Sequence, residues 1–344
     1  MMLFRTQLKQ PQSQLKRPLP LLKRPLLLLK RPLSHCVRHS SNVASLTPVP
    51  GLDLSHERLR RAVFYVPCSD ERKILKSHTS RADCIMFDLE DGVSFNRKSH
   101  ARSLVLQALA DSPCRERGVR INALASGLGL DDLATIVQSS RLDVVMVPKV
   151  ESAKDVWDVV RVIEEAKKEV RVIAGIETAK GVVNVREIAE AHPLVDALLF
   201  AAEDYCADTC ITRTPSRKEL YYARAVVATT AHAFKLQAID MVTMDFRNPR
   251  VLEEESQEGA EMGFTGKQVI HPSQVDIVQD CFAPPREAVD RAIRIVSGYR
   301  TNSEAGKGAF DLDGKAIDMP VVKWAYRVLH RAELAGINAS ISNK

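Results

Sequence analysis

Eight short runs of apolar and β-branched residues follow one another along the chain, and longer segments with helical spacing separate them. This alternation is typical of a parallel β-sheet whose strands are joined by helices. The runs cover residues 62–67, 84–90, 118–122, 144–149, 171–177, 197–204, 237–246 and 267–271, and clear helical patterns cover 153–168 and 217–234. Eight β/α repeats favour a closed (β/α)8 TIM barrel of the α/β class. An open doubly wound sheet is the alternative, but residues 66–69 lack its glycine-rich phosphate turn.

Charge separates the start of the chain from the rest. Residues 1–50 carry nine Lys or Arg, and the first acidic residue is Asp53. Of 49 basic residues, 40 remain after residue 50 against 43 acidic ones, so this body has no basic surplus typical of nucleic-acid binding. A basic, leucine-rich, acid-free leader predicts import into the mitochondrial matrix. Prolines in its repeated Lys-Arg-Pro-Leu units do not suit an amphipathic targeting helix, so a disordered basic arm is the alternative.

We therefore expect three parts: a leader over residues 1–45, a catalytic barrel over 60–285 and a helical extension over 286–344. No stretch reaches the roughly 20 uncharged residues that a membrane span needs, so no membrane partner is expected. The seven cysteines include no C-x-x-C pair, and their odd number argues against a disulfide framework. Cys206 and Cys210 could contribute to a zinc site, but two isolated thiols more often serve packing.

Polar residues cluster where the predicted strands end. Barrel enzymes carry their chemistry at this rim, because the loops that follow the strands converge there. The candidates are Asp88, Glu90, Asp91, Arg120, Asn122, Lys149, Glu151, Glu177, Glu203, Asp204, Asp245 and His271.

Glu177 and Asp204 fall on neighbouring predicted strands. Two carboxylates brought together at one rim need a counter-ion, and oxygen ligands favour Mg²⁺ over zinc or copper. The alternative is a structural network in which Glu177 pairs with Lys149 or Arg120.

Three basic residues are candidates for substrate binding. The planar guanidinium of Arg120 could hold a substrate carboxylate through two parallel hydrogen bonds, or it could form an internal salt bridge to Asp88 or Glu90. Arg72 and Lys76 lie four residues apart, so a helix would present both on one face, where they could bind phosphates.

The amino-acid sequence of several segments resembles that of the HpcH/HpaI aldolase and citrate lyase β-subunit family. The resemblance covers roughly residues 60–335 and rests on many motifs in order. They are Phe-Tyr-Val-Pro from Phe64, Phe-Asp-Leu-Glu-Asp-Gly-Val from Phe87, Val-Arg-Ile-Asn from Val119, Val-Pro-Lys-Val-Glu from Val147, Ile-Glu-Thr from Ile176, Glu-Asp from Glu203, Gly-Phe-Thr-Gly-Lys-Gln-Val-Ile-His-Pro from Gly263, Lys-Gly-Ala-Phe from Lys307 and Ile-Asp-Met-Pro from Ile317.

The resemblance implies a role for individual residues. Glu177 and Asp204 match the Mg²⁺ ligands, and Arg120 matches the arginine that holds the substrate carboxylate. Positions that line the CoA-thioester site are matched by Tyr65, Arg72, Lys76, Ile270 and His271. Asp318 matches the catalytic acid/base, which in trimers of the family reaches in from a neighbouring subunit. From the residues alone, Asp318 would be a helix-start residue ahead of Pro320.

The resemblance also implies an activity: Mg²⁺-dependent cleavage of citramalyl-CoA to pyruvate and acetyl-CoA by a homotrimer. Malyl-CoA would yield glyoxylate instead, and since one methyl group separates the two substrates, malyl-CoA and malate-synthase-like side activities are expected. Two departures from the family pattern, Cys68 and Ala201-Ala202 in place of glycines, add methyl groups near the expected pocket. A citryl-CoA or malyl-CoA lyase of the same family is the alternative, and an inactive barrel that binds RNA or membranes through its basic leader is another.

Overall fold

Eight parallel strands close into a barrel in which each strand pairs with the next and β8 pairs with β1. The structure is a computed structural model that describes residues 49, 51–55, 57–304 and 308–339. The predicted leader over residues 1–45 lies outside this part of the chain. The strands are β1 Ala62–Pro67, β2 Cys84–Asp88, β3 Glu116–Arg120, β4 Val144–Val147, β5 Arg171–Ile176, β6 Val195–Phe200, β7 Gln237–Asp240 and β8 Gly266–Val269. The prediction of a TIM barrel is confirmed.

Helices follow the strands and surround the barrel. They are α1 Glu71–Ser77, α2 Lys98–Asp111, α3 Gly129–Ile136, α4 Ala153–Glu165, α5 Ala179–Val183, α6 Val185–Glu190, α7 Ala202–Thr209, α8 Tyr221–Ala233, α9 Pro249–Glu261 and α10 Val275–Phe282. No helix in the described ranges combines the length and hydropathy needed to cross a membrane.

Every predicted run except the first extends past the end of its strand, and two do so by four residues or more. The run 197–204 leaves the sheet after Phe200, and Glu203 and Asp204 lie instead in the first turn of α7. Acidic side chains stabilise the positive end of a helix dipole, which favours this helical start. The run 237–246 leaves the sheet after Asp240, so Asp245 lies in a loop beyond β7.

Alternation along the strands divides the core into two layers. In β1, Val63 and Tyr65 belong to the cluster inside the barrel, whereas Phe64 and Val66 belong to the layer between strands and helices. Side chains of β2, β4, β5, β6 and β7 fill the rest of the interior. The barrel is therefore a packed core, and space for a ligand lies at its ends.

A buried arginine closes the amino-terminal end of the barrel. Arg60 has no solvent exposure in its side chain and donates two hydrogen bonds to Glu116 at the start of β3, at 2.5 and 2.8 Å. It also donates to Asp196 in β6, at 2.8 and 3.1 Å, and to Gln237 in β7. One guanidinium thus ties three strands together, and its two carboxylate partners offset the cost of burying its charge.

The carboxyl-terminal extension forms a second hydrophobic cluster. It consists of α11 Arg286–Glu304, the antiparallel hairpin β9 Phe310–Leu312 with β10 Lys315–Ile317, and α12 Met319–Leu334. The end of α12 is attached at the amino-terminal side of the barrel, because Arg115, directly before β3, donates to the carbonyl of Leu334 at 3.4 Å. Arg331 donates to the carbonyl of Phe282 at 3.1 Å.

Candidate active site

The last residues of β2 and β3 form one ion-pair cluster at the rim. Asp88 and Arg120 are paired in the strand register, and Arg120 donates to both Asp88 oxygens at 2.7 Å. Its third nitrogen lies 2.9 Å from Glu90. Burial acts to raise the pKa of Asp88, but the Arg120 guanidinium holds that pKa below its ordinary value. The internal salt bridge to Asp88 and Glu90, which the sequence left as an alternative, is therefore present.

The aromatic ring of Tyr65 supports this cluster from inside the barrel. The Arg120 guanidinium lies over the ring at 4.7 Å from its centroid, within the range of a cation–π contact. The Tyr65 hydroxyl is buried and has no hydrogen-bond partner among the described residues. Burial raises the pKa of this hydroxyl, so it is a neutral donor.

Lys149 lies at the centre of the remaining rim carboxylates. Its ammonium nitrogen is 2.8 Å from Glu90, 3.0 Å from Asp204 and 3.5 Å from Glu177. Asp91 is 3.8 Å away. The backbone of Lys149 has a φ of +53°, a left-handed conformation that is uncommon for a non-glycine residue. The sequence placed Lys149 at the rim only as a structural partner of Glu177, and the spacing of motifs gave no sign that one ammonium would contact four carboxylates.

Glu177, which directly follows β5, is fully buried. Neither of its carboxylate oxygens accepts a hydrogen bond among the described residues. Burial and the nearby Glu90 carboxylate raise the pKa of Glu177 to about 8. A buried carboxylate without donors is costly unless a cation accompanies it, so the donor set fits a metal ion.

Asp204 supplies the second carboxylate from the first turn of α7. No group of three or more His, Cys, Asp or Glu side chains in the described ranges is arranged to enclose a metal. Two carboxylates fit Mg²⁺, which usually keeps several water molecules and completes its shell with substrate. The neighbour Glu203 pairs with Arg213 at 2.5 Å, and Arg213 also bonds both oxygens of Glu255 at 3.0 Å. This anchor for α7 was missed by sequence reasoning, because Arg213 belongs to no motif.

The two basic residues Arg72 and Lys76 lie four positions apart on α1, as predicted. Asp70 caps this helix, and both Arg72 and Lys76 are exposed on it. Arg72 lines a cleft of about 360 Å³ with the basic residues Lys73, Arg97 and His100 and the acidic residues Asp70 and Glu71, whereas Lys76 does not line it. Arg72 is thus placed in a basic cleft at the rim, and Lys76 lies on the adjacent surface.

Ile270 and His271 follow β8, as expected for rim residues. The His271 ring stacks on Phe246 with centroids 4.7 Å apart, and its Nδ1 lies 2.7 Å from the Ser273 hydroxyl. The Ile270 side chain is partly exposed beside this pair. The stacking partner Phe246 was not singled out in the sequence.

Asp318 lies apart from the residues at the rim. It is exposed and forms the N-cap of α12, where its carboxylate accepts a hydrogen bond from the Val321 amide at 3.4 Å. No hydrogen bond or ion pair joins it to a barrel residue within the described ranges. A helix of 16 residues is about 24 Å long, so Asp318 lies far from the anchor of α12 at Leu334.

A closed barrel with buried carboxylates, an arginine and a lysine at the carboxyl ends of its strands defines a class of TIM-barrel enzymes that carry their chemistry at that rim. Within this class, the chain belongs to the HpcH/HpaI aldolase/citrate lyase family, whose sequence model matches residues 61–272.

Relatives of known name support this membership. The chain is 40% identical over 283 residues to human "Citramalyl-CoA lyase, mitochondrial", an alignment that covers 77% of this chain and 83% of the human one. It is 35% identical over 289 residues to citrate lyase subunit beta of Escherichia coli K12, covering 81% and 95% of the two chains. The crystal structure of CitE from Mycobacterium tuberculosis, in complex with magnesium, acetoacetate and coenzyme A, matches with a TM-score of 0.65 at 30% identity, covering 79% and 98%.

Proposed function

We propose that this chain is a magnesium-dependent carbon–carbon lyase that cleaves citramalyl-CoA to pyruvate and acetyl-CoA. The observation that carries the proposal is the Glu177 carboxylate, which is fully buried without a hydrogen bond and shares Lys149 with Asp204. The similarity to the human protein named citramalyl-CoA lyase supports the choice of substrate.

In this proposal Glu177 and Asp204 hold Mg²⁺ at the rim. The Mg²⁺ complex of the M. tuberculosis relative supports this assignment. Magnesium bound by these two carboxylates would supply positive charge that stabilises the negative charge developing on substrate oxygens.

In this proposal the substrate carboxylate binds Nη1 of Arg120, the nitrogen that does not donate to Asp88 and lies 2.9 Å from Glu90. Its guanidinium is already oriented by the two bonds to Asp88 and by the Tyr65 ring beneath it, so little freedom is lost when the substrate binds. Its fixed plane sets the direction of the bond to be broken.

Carbon–carbon cleavage then needs one proton to leave oxygen and one to reach carbon. The hydroxyl proton passes to a water molecule, and the hydroxyl-bearing carbon becomes the carbonyl carbon of pyruvate as its bond to the thioester arm breaks. The electron pair of that bond passes to the thioester enolate, and Asp318 protonates the enolate carbon to give acetyl-CoA.

We further propose that Asp318 comes from a neighbouring subunit of a homotrimer. Support comes from its exposed position and from its lack of bonds to the described barrel rim of its own chain. The extension over 286–344 would then complete the site of the next subunit.

The CoA part of the substrate is assigned to the basic cleft and its surroundings. Arg72 in the cleft, with Lys76 on the same helix, would hold phosphates, while Tyr65, Ile270 and His271 would contact the thioester arm. The leader over residues 1–45 would direct the chain to the mitochondrial matrix. The name of the human relative supports a mitochondrial location.

A citryl-CoA or malyl-CoA lyase of the same family is the second candidate, favoured by the similarity to citrate lyase subunit beta. Malyl-CoA lacks one methyl group, and an apolar pocket distinguishes one methyl by only about 1 to 3 kcal/mol, so malyl-CoA and malate-synthase-like turnover would accompany the main activity.

The test is to incubate the purified full chain with citramalyl-CoA, with Mg²⁺ or with EDTA, and to follow pyruvate release. We expect Mg²⁺-dependent pyruvate and acetyl-CoA in equal amounts. Release of glyoxylate from malyl-CoA, or of oxaloacetate from citryl-CoA, at a higher kcat/KM would move the assignment to the second candidate. No cleavage of any of the three thioesters by folded protein would contradict the proposal.

A further inference from the structure

Lys149 contacts more carboxylates than one ammonium group can neutralise. Glu90 and Asp91 reach it from the segment after β2, Glu177 from the end of β5 and Asp204 from α7, all within 3.8 Å. Four carboxyl groups therefore surround one ammonium group. Such an arrangement attracts a further cation to the same oxygens.

Arg120 is the second cation near these carboxyl groups. Its nitrogens lie 2.7 Å from Asp88, 2.9 Å from Glu90 and 3.9 Å from Asp91. Within the described ranges, Lys149 is the only basic side chain that forms an ion pair with Glu177 or Asp204. The two carboxylates assigned to the metal thus have the same single cationic partner.

The backbone holds Lys149 in this position. Its left-handed φ of +53° is flanked by Pro148 and by Val150, whose amide donates to the carbonyl of Gly175 in β5 at 3.0 Å. A non-glycine residue keeps such a conformation only when its surroundings fix it. The ion pairs to Glu90, Asp204 and Glu177 hold the ammonium toward the carboxylates, although a third of its side chain is exposed.

We propose that Lys149 is a built-in competitor of the metal, whose ammonium contends with Mg²⁺ for the oxygens of Glu177 and Asp204 and so keeps Mg²⁺ binding weak and exchangeable. The inference rests on the proposed function, because it takes Glu177 and Asp204 as the metal ligands. Two cations that share the same oxygens repel each other strongly in a partly buried site. Removing the ammonium should therefore tighten Mg²⁺ binding, whereas removing an ordinary structural lysine should weaken it or leave it unchanged.

The experiment compares the Mg²⁺ dissociation constants of the wild-type full chain, Lys149→Met and Lys180→Met by calorimetry. Methionine keeps the length of the side chain without its charge. Lys180 is a matched control, since it pairs with Glu151 at 3.1 Å and its side chain is mostly exposed. We expect Lys149→Met to bind Mg²⁺ at least about ten-fold more tightly than wild type, and Lys180→Met to bind it as wild type does.

A second measurement uses the wild-type chain, in case Lys149→Met does not fold. The rate at which acetic anhydride acetylates Lys149 is followed by peptide mass spectrometry with and without Mg²⁺, and Lys180 serves as the internal reference. Displacement by the metal should accelerate acetylation of Lys149 alone. Unchanged or weaker Mg²⁺ affinity of Lys149→Met, or a Lys149 acetylation rate insensitive to Mg²⁺, would overturn the inference. Absence of Mg²⁺ binding to the wild type would instead remove the proposed metal site.

Discussion

Asp318 combines two tasks that can be separated by substitution. As the N-cap of α12 it needs only an acceptor oxygen for the Val321 amide, and asparagine provides one. As the proposed acid it needs a proton that an amide does not supply. The same position therefore allows chemistry to be removed without removing the helix cap.

We expect Asp318→Asn to keep the melting temperature and Mg²⁺ affinity of the wild type but to lose at least about 100-fold in kcat for pyruvate release. Asp313→Asn is the control, because Asp313 is also exposed in the extension and forms its ion pair with Arg294 there. Full turnover by Asp318→Asn would remove this residue from the proposed mechanism.

Substitution of Arg120 tests whether the orientation of the positive charge at the rim matters for substrate binding. Lysine keeps the charge but cannot make the two parallel bonds to Asp88, so the substrate carboxylate would meet a mobile ammonium. We expect Arg120→Lys to lower kcat/KM for citramalyl-CoA by about 100-fold. Arg186→Lys, at a highly exposed position in α6, should leave kcat/KM unchanged. Equal kcat/KM values for the two variants would argue against substrate binding by Arg120.

At the scale of the element, the seam between β8 and β1 closes the barrel and tolerates no added atom. A Cβ on Gly266 would overlap the carbonyl oxygens of Arg60 and Arg61. We expect Gly266→Ala to lower the free energy of unfolding by about 2 kcal/mol or more, measured by urea denaturation. Gly308→Ala should be nearly neutral, since no atom of the described residues lies within 4 Å of a Cβ at that position. A neutral Gly266→Ala would mean that the seam relaxes easily.

The strands that could be predicted are those whose hydrophobic pattern is local. The first run, 62–67, matches β1, and the runs beginning at 144 and 171 match the starts of β4 and β5. The pattern failed after Phe200, where Ala-Ala-Glu-Asp suits either a strand end or a helix start, and the helix dipole decided. Boundaries of this kind depend on competition between two local preferences.

The residues of the candidate site could be predicted from the sequence, but the contacts between them could not. Rim carboxylates and Arg120 could be identified because strand ends converge in a barrel. The contacts of Lys149 join it to residues 28 to 59 positions away in sequence, from Glu177 to Glu90, and Lys149 has a left-handed backbone that no motif encodes. Arg213 and Phe246 lie in loops between elements, where spacing carries no information about partners.

At the scale of the whole molecule, the proposed site joins a barrel from one chain to an extension from another. Two inactive variants should then restore activity to each other. The Asp318→Asn variant keeps Glu177 in its barrel, and the Glu177→Gln variant keeps Asp318 in its extension. Trimers co-expressed from both should hold about one quarter of the wild-type activity, because half of the barrels and half of the extensions are intact and they combine at random.

Pyruvate release per subunit, with each variant alone as reference, is the measurement. If Asp318 served the barrel of its own chain, the mixed trimers would be no more active than the separate variants. The test therefore distinguishes a shared site from a self-contained one.

The position of Arg60 also bears on how such a chain can evolve. The residue that ties β3, β6 and β7 together lies at one end of the barrel, while the carboxylates and Arg120 lie at the other. Changes at rim positions such as Cys68 and Ala201 would leave those ties untouched. New substrates can therefore be acquired by mutation at one face while the ancestral scaffold is conserved through the other.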